Sequence, residues 1–413
     1  MPLDRKIAVL HQRQMRVLYF TVTPLGDEGN GGSICCRNHV RRLAEDDDIE
    51  LVAMVAGSFA AEAATMQFFA SLGVTAYYQP YYVDRYYPEG KSLRALATFA
   101  WKMLFQFPWE TQRLNQHHVS DGVDWAIRAH KIDTIIIDYH PSALFLKLPR
   151  SDVRTVLIGL NREGDFYADM IKLGMSHHGR LAAKISLFRA RLFERRKNSE
   201  VDKVVVIGEP DAPRYPLRST PVCITPYLDP KPEKWSIQPG KRLFFVGNIA
   251  HYPNRLAIEW IAQQFAPQLL TLCPAARISI VGARPDQLPS NVPNIDCLGP
   301  ADAETVQALF LSENIMLCPI ENDYGVKFKA VEALSYGTPL LASRQTHLGL
   351  PQLEGHGAID LEDPAAAARI AADLLQNPHA LFAFQVAQQM RQSRFIESQK
   401  NIWSKTIATI PLK

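Results

Sequence analysis

The chain lacks the signatures that would settle its function class at once. None of its six cysteines (35, 36, 223, 273, 297 and 318) forms a Cys-x-x-Cys pair, so neither a zinc site nor a disulfide framework is indicated. No apolar run approaches the roughly 18 residues of a membrane span. The N-terminal stretch MPLDRKIAVLHQRQ carries too short an apolar core for a signal peptide. No long Lys/Arg run or aromatic-basic interleaving marks a nucleic-acid module, and the net charge is only +3. A Gly-x-Gly-x-x-Gly fingerprint and a Walker lysine are both missing, which removes the usual dinucleotide and P-loop readings. A cytoplasmic protein with no metal and no cofactor is the expectation.

What is present is ordinary globular material, 47% hydrophobic and 21% charged over 413 residues. That length predicts two domains of roughly 200 residues. Buried-strand runs alternate with helical stretches: Met15–Thr23, then a glycine-rich loop around Gly31 and Gly32, then Glu50–Ala56, Thr134–Asp138, Arg154–Ile158 and Lys203–Ile207. Such alternation predicts a doubly wound parallel sheet. Between Tyr215 and Gly240 the sequence turns proline-rich, which reads as linker. The pattern restarts at Lys241, with strands at Arg277–Val281, Asn294–Leu298, Ile315–Pro319 and Pro339–Ala342. The expected division is an extension at 1–14, a first domain at 15–225, a linker at 226–240 and a second domain at 241–394. A final helix at about 395–413 returns to the first domain.

The segment Ile315–Pro351 holds the densest chemistry: strand, glycine turn, helix, Gly-x-Pro break, strand. Lys327, Lys329 and Glu332 gather around Gly325, where amides at a helix start favour anions. Lys329 and Glu332, three apart, share a helix face. A cation for phosphate beside a carboxylate for hydroxyls suits a nucleotide-diphosphate ligand.

Pro319, Gly325, Lys327, Lys329, Glu332, Ala333, Gly337 and Pro339 stand in the register of a known donor-site motif. In this segment the chain resembles retaining glycosyltransferases of the GT-B fold, family 4 (glycosyl transferases group 1). Phe245-Val246-Gly247-Asn248 with Tyr252-Pro253-Asn254 resembles a second family segment, as do Ile280–Pro285 and Leu298-Gly299. The resemblance implies an α/β GT-B architecture, two Rossmann-like domains with parallel sheets facing across a cleft. It implies a UDP- or GDP-sugar donor and a glycan, lipid-linked or small-molecule acceptor, with peripheral membrane contact at the inner face as an option. Transfer would be retaining and metal-independent. Donor contacts would fall to Gly247, Asn248, Gly282, Gly299, Tyr324, Gly325, Val326 and Glu332. Lys327 and Lys329 would stabilise the leaving diphosphate, and Gly31 and Gly32 would approach phosphate or acceptor across the cleft. Asp138 and His140, at the end of the strand in IIIDYHP, are alternative catalytic candidates near the donor sugar.

One departure stands out. Tyr324 occupies the place where many members carry a second glutamate, leaving Glu321 or Asp323 as substitutes. Leu160 stands where a histidine usually precedes Asn161-Arg162-Glu163, whose role is helix capping or acceptor contact. These losses motivate a second reading, a non-catalytic GT-B subunit; a GT-B nucleotide-sugar epimerase is a third. Asp46-Asp47-Asp48 reads as a solvated turn. The aromatic stretch Tyr77–Trp109 reads as packing, with sugar stacking as the alternative. The basic stretch 180–197 reads as a solvated helix face, with a membrane surface as its alternative.

Overall fold

The protein was analysed as a computed structural model, which describes residues 14–26, 31–80, 83–85, 97, 112–114, 116–160, 162–172, 179–213, 217–238, 240–288 and 292–412. It divides into two compact units. The first comprises residues 1–205, 213–222 and 401–413, and the second residues 206–212 and 223–400.

The first unit is built on strands β1 (Met15–Thr21), β2 (Ile49–Gly57), β3 (Thr75–Pro80), a short antiparallel pair β4 (Val83–Arg85) and β5 (Gln112–Leu114), then β6 (Thr134–Asp138), β7 (Arg154–Gly159), β8 (Lys203–Val206) and β9 (Val222–Cys223). Its main sheet runs β3-β2-β1-β6-β7-β8-β9. β1 pairs in parallel with β2 (Thr21 opposite Val55) and with β6 (Thr21 opposite Asp138). Val17, Leu18, Tyr19 and Phe20 are all fully buried, as expected for a strand covered on both faces.

The second unit repeats the plan with β10 (Arg242–Val246), β11 (Arg277–Val281), β12 (Ile295–Gly299), β13 (Ile315–Cys318), β14 (Leu340–Ser343) and β15 (Ala358–Ile359), in the order β12-β11-β10-β13-β14-β15. Among the described residues its strand pairings are parallel, with one register shift between β11 and β12. One continuous apolar core runs under this sheet, from Leu243 and Phe244 through Phe310 to Leu375. In both units the strand order reverses beside the first strand, between β1 and β6 and between β10 and β13. Open parallel sheets bind ligands at such a reversal, outside the C-terminal strand ends.

From Cys223 onward the proline-rich stretch belongs to the second unit and is tied to it by hydrogen bonds. Lys231 N–H donates to Ser335 O (2.9 Å), and Trp235 N–H to Tyr336 O (2.9 Å). The Trp235 indole is buried and donates to Glu313 O at 2.8 Å. The helix Pro378–Ser398 also stays with the second unit, and the first unit recovers the chain only at Asn401. There Trp403 is buried against His39, ring centroids 5.7 Å apart. Asp46 corrects the solvated-turn reading: its carboxylate is buried and accepts from Ser404 N–H at 2.9 Å and Asp48 N–H at 3.2 Å, tying the terminal helix in place.

Candidate functional site

The second unit's switch point gathers the expected donor residues. β10 ends at Val246, and Gly247 N–H donates to Val281 O at 3.0 Å. Gly282 N–H donates to Gly299 O at 2.8 Å, and Ile249 N–H to Gly282 O at 3.1 Å. The exits of β10, β11 and β12 are thereby laced side by side. Glycine is required at one of them, and at another a larger residue would displace side chains. A Cβ on Gly282, whose φ is +97°, would lie 2.3 Å from Gly247 O. A Cβ on Gly247 would lie 2.6 Å from the Lys329 ammonium and from Asn254 Cγ.

That second collision shows where Lys329 points. Helix Phe328–Tyr336 buries Ala330, Val331, Ala333 and Leu334 against the sheet and ends at Gly337 in the left-handed conformation. Lys329 in its first turn reaches back over β10. Its Nζ donates to Asn254 Oδ1 at 2.6 Å and stands 4.3 Å from the centre of the Phe245 ring. Asn254 in turn donates to Asn248 O at 3.0 Å, and Asn248 Oδ1 accepts from Ala250 N–H. The Lys329 pKa is lowered from 10.5 to about 8, chiefly by burial, with Cys318 opposing the shift and Lys327 adding to it. No carboxylate among the described residues is salt-bridged to it. A desolvated ammonium held by a neutral amide beside two close-packed glycine turns has the chemistry to receive an anion.

Lys327 behaves differently. Its ammonium donates to Tyr324 O (2.6 Å) and Gly325 O (3.2 Å), folding back onto its own loop. Desolvation also takes its pKa to about 8, partly offset by Asp211 and Asp323. The Gly325 amide expected to meet phosphate donates instead to the buried Asp211 carboxylate (2.9 and 3.2 Å). The loop is thus fixed from both sides: Asp211 holds its amide and Lys327 its carbonyls. Tyr324 is buried, Val326 lies against Gly349, and Glu321 and Asp323 are exposed on the same loop. Glu332 is half-buried; desolvation raises its pKa and Lys231 opposes the shift. His251, lowered by burial and then by Lys329 and Lys327, completes the surround.

Asn254 lies inside a motif noted in the sequence, with His251 just before it, yet nothing local marks Asn254 as the partner of a lysine 75 residues on. Asp211 and Lys231 carry no sequence signal, coming from segments read as strand exit and linker.

At the first unit's switch point the candidate side chains are buried. Asp138 is fully buried, and its Oδ2 accepts from Tyr19 OH at 2.6 Å and faces His39 Nδ1 at 2.8 Å. Rather than presenting a catalytic carboxylate, it ties β1, β6 and the helix Gly31–Ala44 together. His140 is buried, with Nε2 3.0 Å from Asn198 Oδ1 and a pKa lowered by burial to about 4. It is neutral at pH 7, and its Nε2 carries the proton donated to Asn198. Tyr139 between them has φ +75°, which turns the chain sharply out of β6. Gly31 opens its helix with open space where a Cβ would stand, and Gly32 follows it. Arg162 pairs with Asp165 at 2.9 Å, and Leu160 is buried. Asn161 lies outside the described residues, as do all the aromatics from Tyr81 to Trp109. Tyr77 packs edge-on to Trp125 and bonds His130 Nε2 at 2.8 Å.

Residues 240–377, which hold every part of the second-unit site except Asp211 and Lys231, match the sequence model of the family Glycosyl transferases group 1. The chain carries a glycosyltransferase domain. It is an enzyme of that class, and the first unit lies outside the match. No curated protein matches the chain in sequence. Among solved structures it is similar to a S. aureus TarM variant in complex with Fondaparinux, alpha-GlcNAc-glycerol and UDP, with a TM-score of 0.62 at 10% identity over 93% of this chain and 98% of that one. Sucrose-phosphate synthase from Thermosynechococcus elongatus gives 0.58 at 12% identity, covering 96% and 98%. Anabaena HepE in complex with UDP gives 0.56 at 12%, covering 96% and 100%. At these identities the likeness establishes the fold, two Rossmann-like parallel-sheet domains of the GT-B type.

Proposed function

We propose that the enzyme moves a sugar from a UDP- or GDP-sugar to a glycan, lipid-linked or small-molecule acceptor, as a retaining, metal-independent transferase of family 4. The observation that carries this reading is the Lys329 ammonium, desolvated over Phe245 and, among the described residues, held by amide oxygen beside the Gly247 turn. A diphosphate there supplies the missing counter-charge. As the glycosidic bond to the nucleotide breaks, negative charge grows on the leaving phosphate next to a preorganised cation. Lys327 adds positive potential and keeps the loop in shape, and Glu332 accepts hydrogen bonds from ribose hydroxyls. The acceptor hydroxyl attacks from the leaving-group face, and its proton passes to the departing phosphate oxygen, so no protein base is needed. Gly282 and Gly299 supply backbone to the nucleobase. Six free thiols suit a reducing, cytoplasmic setting.

The test is thermal stabilisation by UDP, GDP and their sugar conjugates, on wild type and Lys329→Ala. One nucleotide should raise Tm by several degrees and lose that effect in the variant. Equal stabilisation of the two proteins would remove Lys329 from the site.

A further inference from the structure

A groove of about 510 Å³ lies within the second unit, between the helix Pro378–Ser398 and the turn Pro351–Leu353. It shares no residue with the Lys329 site. On the helix, Met390, Arg391, Arg394 and Phe395 fall at steps of one, three and one, so successive turns present them to the groove from one face. Met390 and Phe395 give it apolar walls, and Gln352 and Glu354 line the facing side.

The polar groups around this groove are short of partners. Gln388 and Gln392, one helical turn apart, are both buried. The Gln388 amide is fully used: Oε1 accepts from Leu340 N–H at 3.0 Å, and Nε2 donates to Leu340 O at 2.9 Å and His356 O at 3.2 Å. Gln392 Oε1 accepts from Gln352 Nε2 at 3.0 Å, but Gln392 Nε2 and Gln352 Oε1 have no partner among the described residues. Gln352 is only 7% exposed and Gln392 2%, and amides that deeply buried are nearly always paired. Arg391 donates from Nη1 to Ala387 O at 3.2 Å, and its buried Nε is unpartnered as well. Among the described residues no carboxylate is paired with Arg391 or Arg394, although Glu354 lines the same groove. Two like charges one turn apart on a helix repel, and an anion between them removes that penalty.

We infer that the groove binds a small phosphomonoester that carries hydroxyl groups. Its phosphate lies between the Arg391 and Arg394 guanidiniums, and its hydroxyls reach Gln352 and Glu354. Two guanidiniums against one carboxylate leave the groove positive, and the oxygens of one phosphate can take N–H groups from both arginines at once. A hydroxyl is the donor that Gln352 Oε1 lacks, and it suits the Glu354 carboxylate equally. Inorganic phosphate would leave most of the groove empty, whereas the volume is that of sites for small organic ligands. Met390 and Phe395 then cover the ligand's carbon skeleton. A solvated arginine face accounts for neither the buried Nε nor the open glutamine pair.

Isothermal titration calorimetry on the full chain tests the inference with inorganic phosphate, ribose 5-phosphate, mannose 6-phosphate and free mannose. At least one sugar phosphate should bind about tenfold or more tighter than inorganic phosphate, and mannose should not bind. Arg391→Gln with Arg394→Gln should weaken that binding by about tenfold or more. Arg394→Gln alone changes an exposed side chain, so it should keep the wild-type Tm while still losing affinity. Lys329→Ala should bind the sugar phosphate as the wild type does, which separates this groove from the proposed donor site. No binding of any phosphate, wild-type binding by the double variant, or loss of binding in Lys329→Ala would each overturn the inference. So would equal affinity for inorganic phosphate and both sugar phosphates.

Discussion

The two units present the same topological corner with opposite chemistry. In each, the first strand and the strand beyond the order reversal end side by side, β1 with β6 and β10 with β13. In the first unit the polar groups at that corner meet one another: Asp138, Tyr19 and His39 close a buried network. In the second a lysine ends on a neutral amide over an aromatic ring, short of a counter-charge. Topology makes both corners possible ligand sites, and only side-chain pairing distinguishes a structural tie from an anion receptor.

That contrast is open to direct attack. Its largest expected effect is a pair of opposite signs. Asp138→Ala should lower the unfolding free energy by about 3–5 kcal/mol in urea titration, because it strands His39 and Tyr19 without their acceptor. Lys329→Met should instead stabilise the nucleotide-free protein by on the order of 1 kcal/mol, by removing a desolvated ammonium, while forfeiting the nucleotide shift. A large loss of stability in Lys329→Met would show that both corners are structural.

The lysines also set a pH dependence. Folding depresses both from 10.5 to about 8, so between those values the unfolded chain binds more protons, and their contribution to stability rises with pH. Nucleotide binding runs the other way. A diphosphate favours the charged lysines, and above about pH 8 protons must be taken up on binding. UDP or GDP affinity by calorimetry should therefore fall above pH 8, by up to about tenfold per pH unit for each lysine engaged. A flat profile from pH 7 to 9.5 would mean that neither lysine meets the phosphates.

The smallest change sharpens the division of labour inside the second site. Glu332→Gln keeps an acceptor but loses its charge, and should weaken ribonucleotide binding by roughly fivefold, about 1 kcal/mol. It should leave the weaker binding of the matching 2′,3′-dideoxynucleotide nearly unchanged. An equal loss for both nucleotides would assign Glu332 to something other than ribose.

Much of this was written in local spacing. Runs such as RLFFV and TIIID mark strands covered on both faces, and the alternation with helical stretches yields two Rossmann-like halves. The Gly325–Pro339 string places a glycine, two lysines and a carboxylate at one helix start, because 3.6-residue geometry fixes such neighbours whatever the surroundings. The setting of Asp138 was not legible in the sequence, because a carboxylate at a strand end looks the same whether it meets solvent or a histidine 99 residues away. The segment 226–240 looked like linker because prolines exclude regular structure, yet they leave carbonyls, amides and a tryptophan free to dock. Sequence alone decided which residues form strands, turns and helix starts, since those rest on backbone sterics and nearest neighbours. Only the tertiary structure decided which polar group meets which, because that depends on burial and on partners brought together by topology.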